Sequence, residues 1–246
     1  MDELRAWLAY GDSWWVHGNL RAGRGGGALE LPGVRLTASG LPARPWNNGD
    51  VDDPAVVDVD RVRDWYAALD LPWGLRVPTG ARWGWGEPMF HGRMMSLTRT
   101  AFRPAFTASW LTIAAAGPAE LDDAAGVDLA AFGGQPNLTR AWLAPQLQSG
   151  PVTTMMAWSA GRALGTGYLV RTDGRAGPAG CLGGVGVVPD ARRRGVGLAL
   201  SSCLVAAAFD SGAELVVLSP DSPAAADLYS QLGFTETNGF DVYIAA

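Results

Sequence analysis

The spacing of apolar residues is most regular in the second half of the chain, where it predicts short strands and longer helices. Alternating or short apolar runs indicate strands, and apolar residues three and four positions apart indicate helices. The predicted strands are 110–115, 152–158, 163–170, 183–188, 214–218 and 241–245, and the predicted helices are 119–132, 138–147, 195–209 and 223–232. Residues 159–162 have the composition of a hairpin turn, and 172–180 that of a loop. Mixed strands with crossing helices predict an α/β fold, with a mixed sheet flanked by helices.

The first half has a less regular pattern, typical of an α+β domain with many turns. Helices are predicted over 2–10 and 57–69, strands over 33–39, 71–77 and 94–98, and turns over 21–27 and at Asn48-Gly49. Pro104 would interrupt any continuous element near Arg103–Phe106. We therefore expect an N-terminal α+β domain over 1–106 and a second domain over 107–246.

Composition supports this division and excludes several classes of protein. Nine of the eleven tryptophans lie at or before Trp110. The first 116 residues carry 12 arginines and 12 carboxylates, whereas the remaining 130 carry 7 and 12, so the net charge of −5 belongs to the second half. All 19 basic residues are arginine, which excludes a Schiff-base lysine and a lysine-bearing phosphate loop. Two cysteines and two histidines give no basis for a disulfide framework or a zinc cluster.

Charge and hydropathy also bear on partners and location. The negative net charge argues against a general nucleic-acid binder. The first residues are acidic where a signal peptide is basic, and no apolar run approaches the ~18 residues of a membrane span. We therefore expect a cytoplasmic protein with no membrane or nucleic-acid partner.

Residues 187–200 (VVPDARRRGVGLAL) carry the clearest chemical signal. Three arginines and two glycines stand where a predicted strand ends and a predicted helix begins. Cations are disfavoured at a helix N-terminus by ~0.3–1 kcal/mol each, and glycine costs ~1 kcal/mol relative to alanine inside a helix. Both costs are explained if a pyrophosphate binds the free backbone N–H groups with arginines as countercharge. The alternative is a solvated basic turn. A dinucleotide-binding fingerprint fits poorly, because its third glycine position is Leu200.

Two motifs in this half resemble the GCN5-related N-acetyltransferase (GNAT) family. Arg192-x-x-Gly195-x-Gly197 matches the family's acyl-CoA motif, and Val185-x-Val187-x-Pro189 resembles the strand before it. Downstream, residues 225–234 (AADLYSQLGF) resemble the family's A-x-x-L-Y-x-x-L-G-F segment. The two motifs lie in the family's order, with the predicted strand 214–218 between them, and the resemblance covers roughly 107–246.

The resemblance implies a role for each matched residue. Backbone amides of the arginine–glycine segment would hold the pyrophosphate of acetyl-CoA or another acyl-CoA, backbone groups of Val185 and Val187 would bind the pantetheine arm, and the Val187 N–H would polarise the thioester carbonyl. Tyr229 would protonate the departing thiolate; alternatively, it is a core tyrosine. The cofactor-binding set is Val185, Val187, Arg192, Arg193, Arg194, Gly195, Val196, Gly197, Leu198, Ala199 and Ser222.

The chain departs from the family pattern at two places. Ser222 stands where many members have asparagine, and Cys181 stands where some have a general-base glutamate. An alkylamine with a pKa near ~10 is about one part in a thousand neutral at pH 7, so a base is still needed. Glu236, Asp221 and Asp241 are the candidates, each of which could instead be a solvated carboxylate; water-relayed deprotonation is another route. Cys181 could carry the acyl group or be a small buried thiol.

These observations predict an acyl-CoA-dependent N-acyltransferase that uses acetyl-CoA, needs no metal, and acetylates a primary amine of a small molecule or peptide. The alternatives are a non-catalytic CoA-binding protein and an acyl-CoA enzyme of another reaction type, such as O-acyl transfer or decarboxylation. The first half lacks the R-x-x-G-x-G motif, so the layout resembles a tandem GNAT protein with a degenerate first domain. Its tryptophans, among them Trp14, Trp15, Trp83 and Trp85, would form core and interface or wall the acceptor pocket.

Overall fold

The computed structural model describes residues 3–244, which form six α-helices and eleven strands. The helices are α1 (Glu3–Asn19), α2 (Val59–Leu69), α3 (Leu121–Phe132), α4 (Pro136–Leu147), α5 (Val196–Asp210) and α6 (Pro223–Gln231). The strands are β1 (Gly27–Leu31), β2 (Val34–Ala38), β3 (Asn48–Val51), β4 (Gly74–Pro78), β5 (Phe90–Thr98), β6 (Thr112–Ala115), β7 (Val152–Ser159), β8 (Arg162–Gly174), β9 (Gly177–Val187), β10 (Leu215–Leu218) and β11 (Thr235–Ile244). No helix within 3–244 is long and apolar enough to cross a membrane.

All eleven strands belong to one sheet, in the order β1-β2-β3-β4-β11-β5-β10-β9-β8-β7-β6. Two neighbouring pairs, β3 with β4 and β9 with β10, are parallel, and the other pairs are antiparallel. Each parallel pair is joined by a crossover helix, α2 in the first half and α5 in the second. This is the mixed, helix-flanked sheet that the sequence predicted.

The two halves of the sheet have the same plan and exchange a strand. β5 follows β4 along the chain yet pairs with β10, and β11 follows β10 yet pairs with β4. β5 and β11 pair with each other at the centre of the sheet. The sheet is therefore hydrogen-bonded continuously between the two halves of the chain. The division into domains 1–106 and 107–246 stays a prediction from the sequence.

The core lies on both faces of the central strands. Leu215 and Val217 of β10 share a buried cluster with α1, while Val216 and Leu218 share one with α5, as expected from the two-residue alternation of a strand. Helix α1 thus lies on the face opposite α5. Because α1 comes from the first half and covers β8, β9 and β10, it joins the halves by packing as well as by strand pairing.

Three local predictions were wrong: the end of the first helix, the loop 172–180 and the turn at Asn48-Gly49. Each was wrong because of a contact with a distant segment. The helix predicted over 2–10 continues to Asn19, where buried residues such as His17 pack against the second half. The predicted loop 172–180 is the end of a long β8–β9 hairpin; the Asp12 carboxylate of α1 accepts a hydrogen bond from its Ala176 N–H at 3.0 Å. Residue 2, where the first predicted helix begins, and residue 245, where the last predicted strand ends, lie outside the described residues.

The Asn48-Gly49 dipeptide lies inside β3 and does not form a turn. A Cβ at Gly49 would come within 2.6 Å of Leu75 Cδ2 and 2.7 Å of Leu36 Cδ2. Gly49 instead pairs with Leu36 of β2 and Leu75 of β4, so strand pairing fixes its conformation and the predicted turn was wrong.

Candidate active site

Strands β9 and β10 separate part-way along their length and leave a gap in the sheet. Their pairing ends at Cys181 and Val217. Opposite β8, β9 bulges: Tyr168 pairs with Gly183 and Thr166 with Gly186, and Gly184 has a φ of +58°. Val188 N–H donates to the Leu164 carbonyl at 3.0 Å. Because backbone groups alternate along a strand, those of Val187 point away from β8 and into the gap.

The turn before α5 presents backbone N–H groups to the same gap. Gly195, the N-cap of α5, has a φ of +83° and no side chain caps this end of the helix. Arg193 also has a left-handed φ, +61°, which is uncommon for a residue other than glycine. The first N–H groups of an α-helix have no partner within the helix, and together with the helix dipole they favour an anion.

The three arginines of the turn have different environments. Arg192 Nε donates to the Val187 carbonyl and its Nη2 donates to the Ala131 carbonyl, both at 3.1 Å, so this side chain ties the turn to β9 and to the end of α3. The Arg194 guanidinium lies over the Trp110 ring, 4.6 Å from its centroid. Arg193 is exposed and lines the gap.

The gap opens into a cavity of about 680 Å³. It brings together the predicted residues Val185, Val187, Arg192, Arg193, Gly195, Val196, Gly197, Leu198, Asp221, Ser222 and Tyr229. Five predicted residues are not part of its lining: Arg194, Ala199, Glu236, Asp241 and Cys181. Arg194 lies on Trp110, Ala199 of α5 is buried in the core, and Glu236 of β11 pairs with Arg93 of β5.

Comparisons with known proteins agree with this geometry. Residues 126–234 match the model of the acetyltransferase (GNAT) family. Residues 126–234 form a GNAT domain. No curated protein matches the chain in sequence.

Solved structures extend the likeness in fold to the whole chain. A GCN5-related N-acetyltransferase from Kribbella flavida has a TM-score of 0.73 at 16% identity, over 99% of this chain and 95% of that one. A GCN5-related N-acetyltransferase from Sphaerobacter thermophilus has a TM-score of 0.59 at 16% identity, over 98% and 92%. A tandem GNAT protein from the clavulanic acid biosynthesis pathway has a TM-score of 0.56 at 14% identity, over 86% and 78%.

Tyr229 of the GNAT domain lies on α6 with its ring edge-on to Phe234, 5.8 Å between centroids. Burial raises the pKa of its phenol, and the nearby Asp221 carboxylate raises it further, while the Ser201 hydroxyl acts in the opposite direction. The phenol is therefore protonated at neutral pH. Ser222 caps α6 by accepting a hydrogen bond from Ala225 N–H at 3.2 Å, and its hydroxyl donates to Asp221 at 3.0 Å.

The other sequence candidates for a base or nucleophile lie away from this cavity or are unsuited to the role. Asp241 is 2.5 Å from His91 Nδ1, and Glu236 is paired with Arg93; neither lines the cavity. Burial raises the pKa of the Cys181 thiol to about 11, which disfavours the thiolate that a nucleophile requires. Of the three proposed carboxylates, only Asp221 lines the cavity, on the side of Tyr229.

Sequence reasoning missed a second cavity, of about 440 Å³, and the carboxylate of Asp128 that lines it. This cavity and the first share Phe132 and lie against neighbouring residues of the β9 bulge. The one available signal was Asp128 itself, an acidic residue between Val127 and Leu129 in a helix whose other carboxylates are in its first turn. The segments that surround it are too distant in sequence to be grouped by any local pattern.

The first half has a helix equivalent to α5, but the N-terminus of that helix is not a comparable anion site. Helix α2 also crosses between two parallel strands, yet its N-cap is Asp58, whose carboxylate accepts hydrogen bonds from the Asp60 and Arg61 N–H groups. A carboxylate already occupies this helix N-terminus and would repel a phosphate. The GNAT domain therefore carries the site suited to an anionic ligand.

Proposed function

We propose that this GNAT protein transfers an acyl group, in the first instance the acetyl group of acetyl-CoA, to a primary amine of a small molecule or peptide. The observation that carries the proposal is the alignment of an uncapped helix N-terminus with the gap between β9 and β10 along one cavity. The uncapped N–H groups suit a pyrophosphate. A long, narrow substrate arm could extend from there along the unpaired edge of β9.

The fit of the turn to a phosphate rests on its glycines. A Cβ at Gly195 would meet no atom within 4 Å, so this backbone borders open space. A Cβ at Gly197 would lie 3.4 Å from Leu228 Cδ1 and 3.5 Å from Val187 Cγ2, in ordinary contact. At both positions a bare backbone allows an anion to approach the amides, which a side chain would hinder.

The proposed reaction requires few groups from the chain. The Val187 N–H, directed into the gap, would donate to the thioester oxygen as negative charge develops there during attack by the amine. Tyr229 would donate its phenolic proton to the leaving thiolate. The amine attacks directly while both substrates are bound, so no acyl-enzyme is required, consistent with the raised pKa of Cys181.

Calorimetric titration with acetyl-CoA tests the proposal. We expect micromolar binding of acetyl-CoA and much weaker binding of NADH and ATP, because only the first matches both the anion site and the gap. Release of free thiol in the presence of a panel of amines would then report acyl transfer. A folded protein that binds none of the acyl-CoAs offered would contradict the proposal.

Gly197→Ala should move stability and ligand affinity in opposite directions. Alanine should stabilise α5 by about 0.5–1 kcal/mol relative to glycine, and its methyl group fits the protein. Acetyl-CoA affinity should nevertheless fall roughly 10-fold, a loss of about 1.4 kcal/mol, because the methyl group narrows the approach to the amides. Urea unfolding and calorimetry measure the two effects.

Gly126→Ala in α3 is the matched control, since a Cβ there meets nothing within 4 Å and Gly126 lines neither cavity. It should change stability alone. If both variants bind acetyl-CoA as the unmodified protein does, the glycine turn is not the phosphate site.

A further inference from the structure

The second cavity lies beside the first, on the other side of Phe132. In α3, Asp128 and Phe132 are four residues apart and therefore lie on one face of the helix. A Cβ at Gly186 of β9 would be 2.9 Å from Phe132 Cε2, so the Phe132 ring covers the strand just past the bulge. The two cavities thus share one wall, Phe132, and the proposed function would have acyl donor and acceptor approach each other there.

Four aromatic side chains, from both halves of the chain, contribute to the walls of this cavity. Trp46, from the first half, stacks on Trp142 of α4 with 4.8 Å between ring centroids and 4° between planes. The Tyr168 ring covers Gly183 and Gly184, where a Cβ would come within 2.7 Å and 2.6 Å of ring atoms. Flat, rigid walls of this kind suit an apolar or planar group.

Asp128 is the one charged side chain among the described residues that line the cavity. Its carboxylate has no ion-pair or hydrogen-bond partner within residues 3–244. Its negative charge contributes to raising the pKa of the Tyr168 phenol of β8. Burial raises the pKa of Asp128 to about 6, so the group remains mainly ionised at pH 7 but is readily protonated. A half-buried carboxylate without a partner is costly unless a ligand supplies the countercharge.

Resting on the proposed function, we propose that the second cavity is the acceptor site for a small cationic amine with an aromatic or flat apolar body, and that Asp128 binds its ammonium group and takes its first proton. The aromatic walls hold the apolar body, and Asp128 supplies the countercharge, because the Trp142 ring already carries Trp46 and the Arg21 guanidinium, which lies 4.0 Å from its centroid. A cavity of about 440 Å³ fits a small molecule. Extended peptides and large polycations are a poor match.

The protons balance in this assignment. An ammonium group loses two protons when it becomes an amide N–H. The first passes to the Asp128 carboxylate, and the free amine then attacks the thioester carbon, forming the C–N bond. As the C–S bond breaks, Tyr229 gives its proton to the thiolate and regains one from the nitrogen through water. Asp128 finally releases its proton to solvent, so the products are the amide, the thiol and one H⁺.

The test compares Asp128→Asn with Asp123→Asn, using 2-phenylethylamine and its uncharged analogue 2-phenylethanol as probes. Asp123 lies on the same helix, is exposed, and lines neither cavity. Direct binding is measured by calorimetry in the absence of acyl donor, and acyl transfer by thiol release with acetyl-CoA. Unchanged acetyl-CoA affinity and circular dichroism show that each variant is folded.

We expect the unmodified protein and Asp123→Asn to bind the amine at least 10-fold more tightly than the alcohol. Asp128→Asn should abolish this preference and lower kcat/KM for the amine about 100-fold. A merely structural role of Asp128 would not remove the preference for charge. Trp46→Ala should weaken binding of both probes, with Trp15→Ala as the control, because Trp15 is also a half-buried tryptophan of the first half but lines neither cavity.

The outcomes separate this proposal from the one on which it rests. Thiol release with the amine that is equal in Asp128→Asn and Asp123→Asn would overturn the acceptor site and leave the acyltransferase standing. A protein without any preference for the amine over the alcohol would also overturn it. Charge-selective binding that is lost only in Asp128→Asn, in a protein that releases no thiol, would support the site and contradict the acyltransferase.

Discussion

Tyr229→Phe should lower the turnover of acyl transfer roughly 100-fold, a loss at the lower end of what a positioned general acid contributes. The variant keeps the ring that packs edge-on against Phe234 and loses only the phenolic hydroxyl. Acetyl-CoA affinity should be unchanged, because the proposed pyrophosphate contacts come from the turn before α5. Thiol release at saturating amine measures turnover, and calorimetry measures affinity.

The environment of the hydroxyl is the reason for expecting a large effect. Burial and the Asp221 carboxylate both raise the pKa of the Tyr229 phenol, so the hydroxyl is protonated and able to donate when the departing thiolate forms nearby. Without that proton the thiolate must leave as an anion into the same partly buried site, beside the negative charge of Asp221. Both conditions raise the barrier to C–S cleavage.

Tyr243→Phe is the matched control. Tyr243 lies on β11 and contacts Trp83, away from both cavities. It should turn over at the normal rate. Equal rates for the two variants would exclude Tyr229 as the proton donor. If the unmodified protein binds acetyl-CoA and is inert with every amine, the non-catalytic CoA-binding hypothesis is favoured.

That residues of the first cavity lie together could be predicted from sequence, because their signal is local. Residues 187–200 place strand end, arginines, glycines and helix start within one short segment, and local backbone requirements fix what such a segment can do. Even there, the sequence did not distinguish the roles of the three arginines. Only the structure shows that Arg192 ties β9 to α3, whereas Arg194 lies on Trp110.

The second cavity could not be predicted because its parts are distant in sequence. Trp46, Asp128, Trp142 and Tyr168 meet only after the strands have paired and α3 and α4 have packed. The glycines at 183–184 predicted only a strand. The Tyr168 ring that lies over them explains why glycine stands there, and the local pattern does not record it. In the same way, the exchange of β5 and β11 depends on long-range pairing, which periodicity does not record.

Arg76→Met should destabilise the protein by about 3–5 kcal/mol, the usual cost of leaving one member of a buried ion pair alone. Arg76 of β4 and Asp50 of β3 are 4% and 1% exposed. Arg76 Nε lies 2.7 Å from one carboxylate oxygen, and Nη2 donates to the other at 2.9 Å. The guanidinium also lies over the Trp14 ring of α1, 4.3 Å from its centroid, so its loss should loosen α1 as well as the strands. Urea unfolding measures the loss.

The pH dependence of that loss identifies its cause. Burial raises the pKa of Asp50 to about 6 even though Arg76 lowers it, so removing Arg76 should raise the pKa further. A carboxyl whose pKa is higher in the folded than in the unfolded state binds protons on folding, and its contribution to stability falls as pH rises through that window. The deficit of Arg76→Met should therefore be larger at pH 8 than at pH 5.

Two further variants test whether the Arg76–Asp50 ion pair accounts for the loss of stability. Arg63→Met removes an exposed partner of Asp60 and should cost less than about 0.5 kcal/mol at either pH. Adding Asp50→Leu to Arg76→Met should recover much of the stability, since it removes the unpaired charge. If the double variant is as unstable as the sum of the single ones, the loss comes from packing against Trp14, and the ion pair contributes little to holding α1 on the sheet.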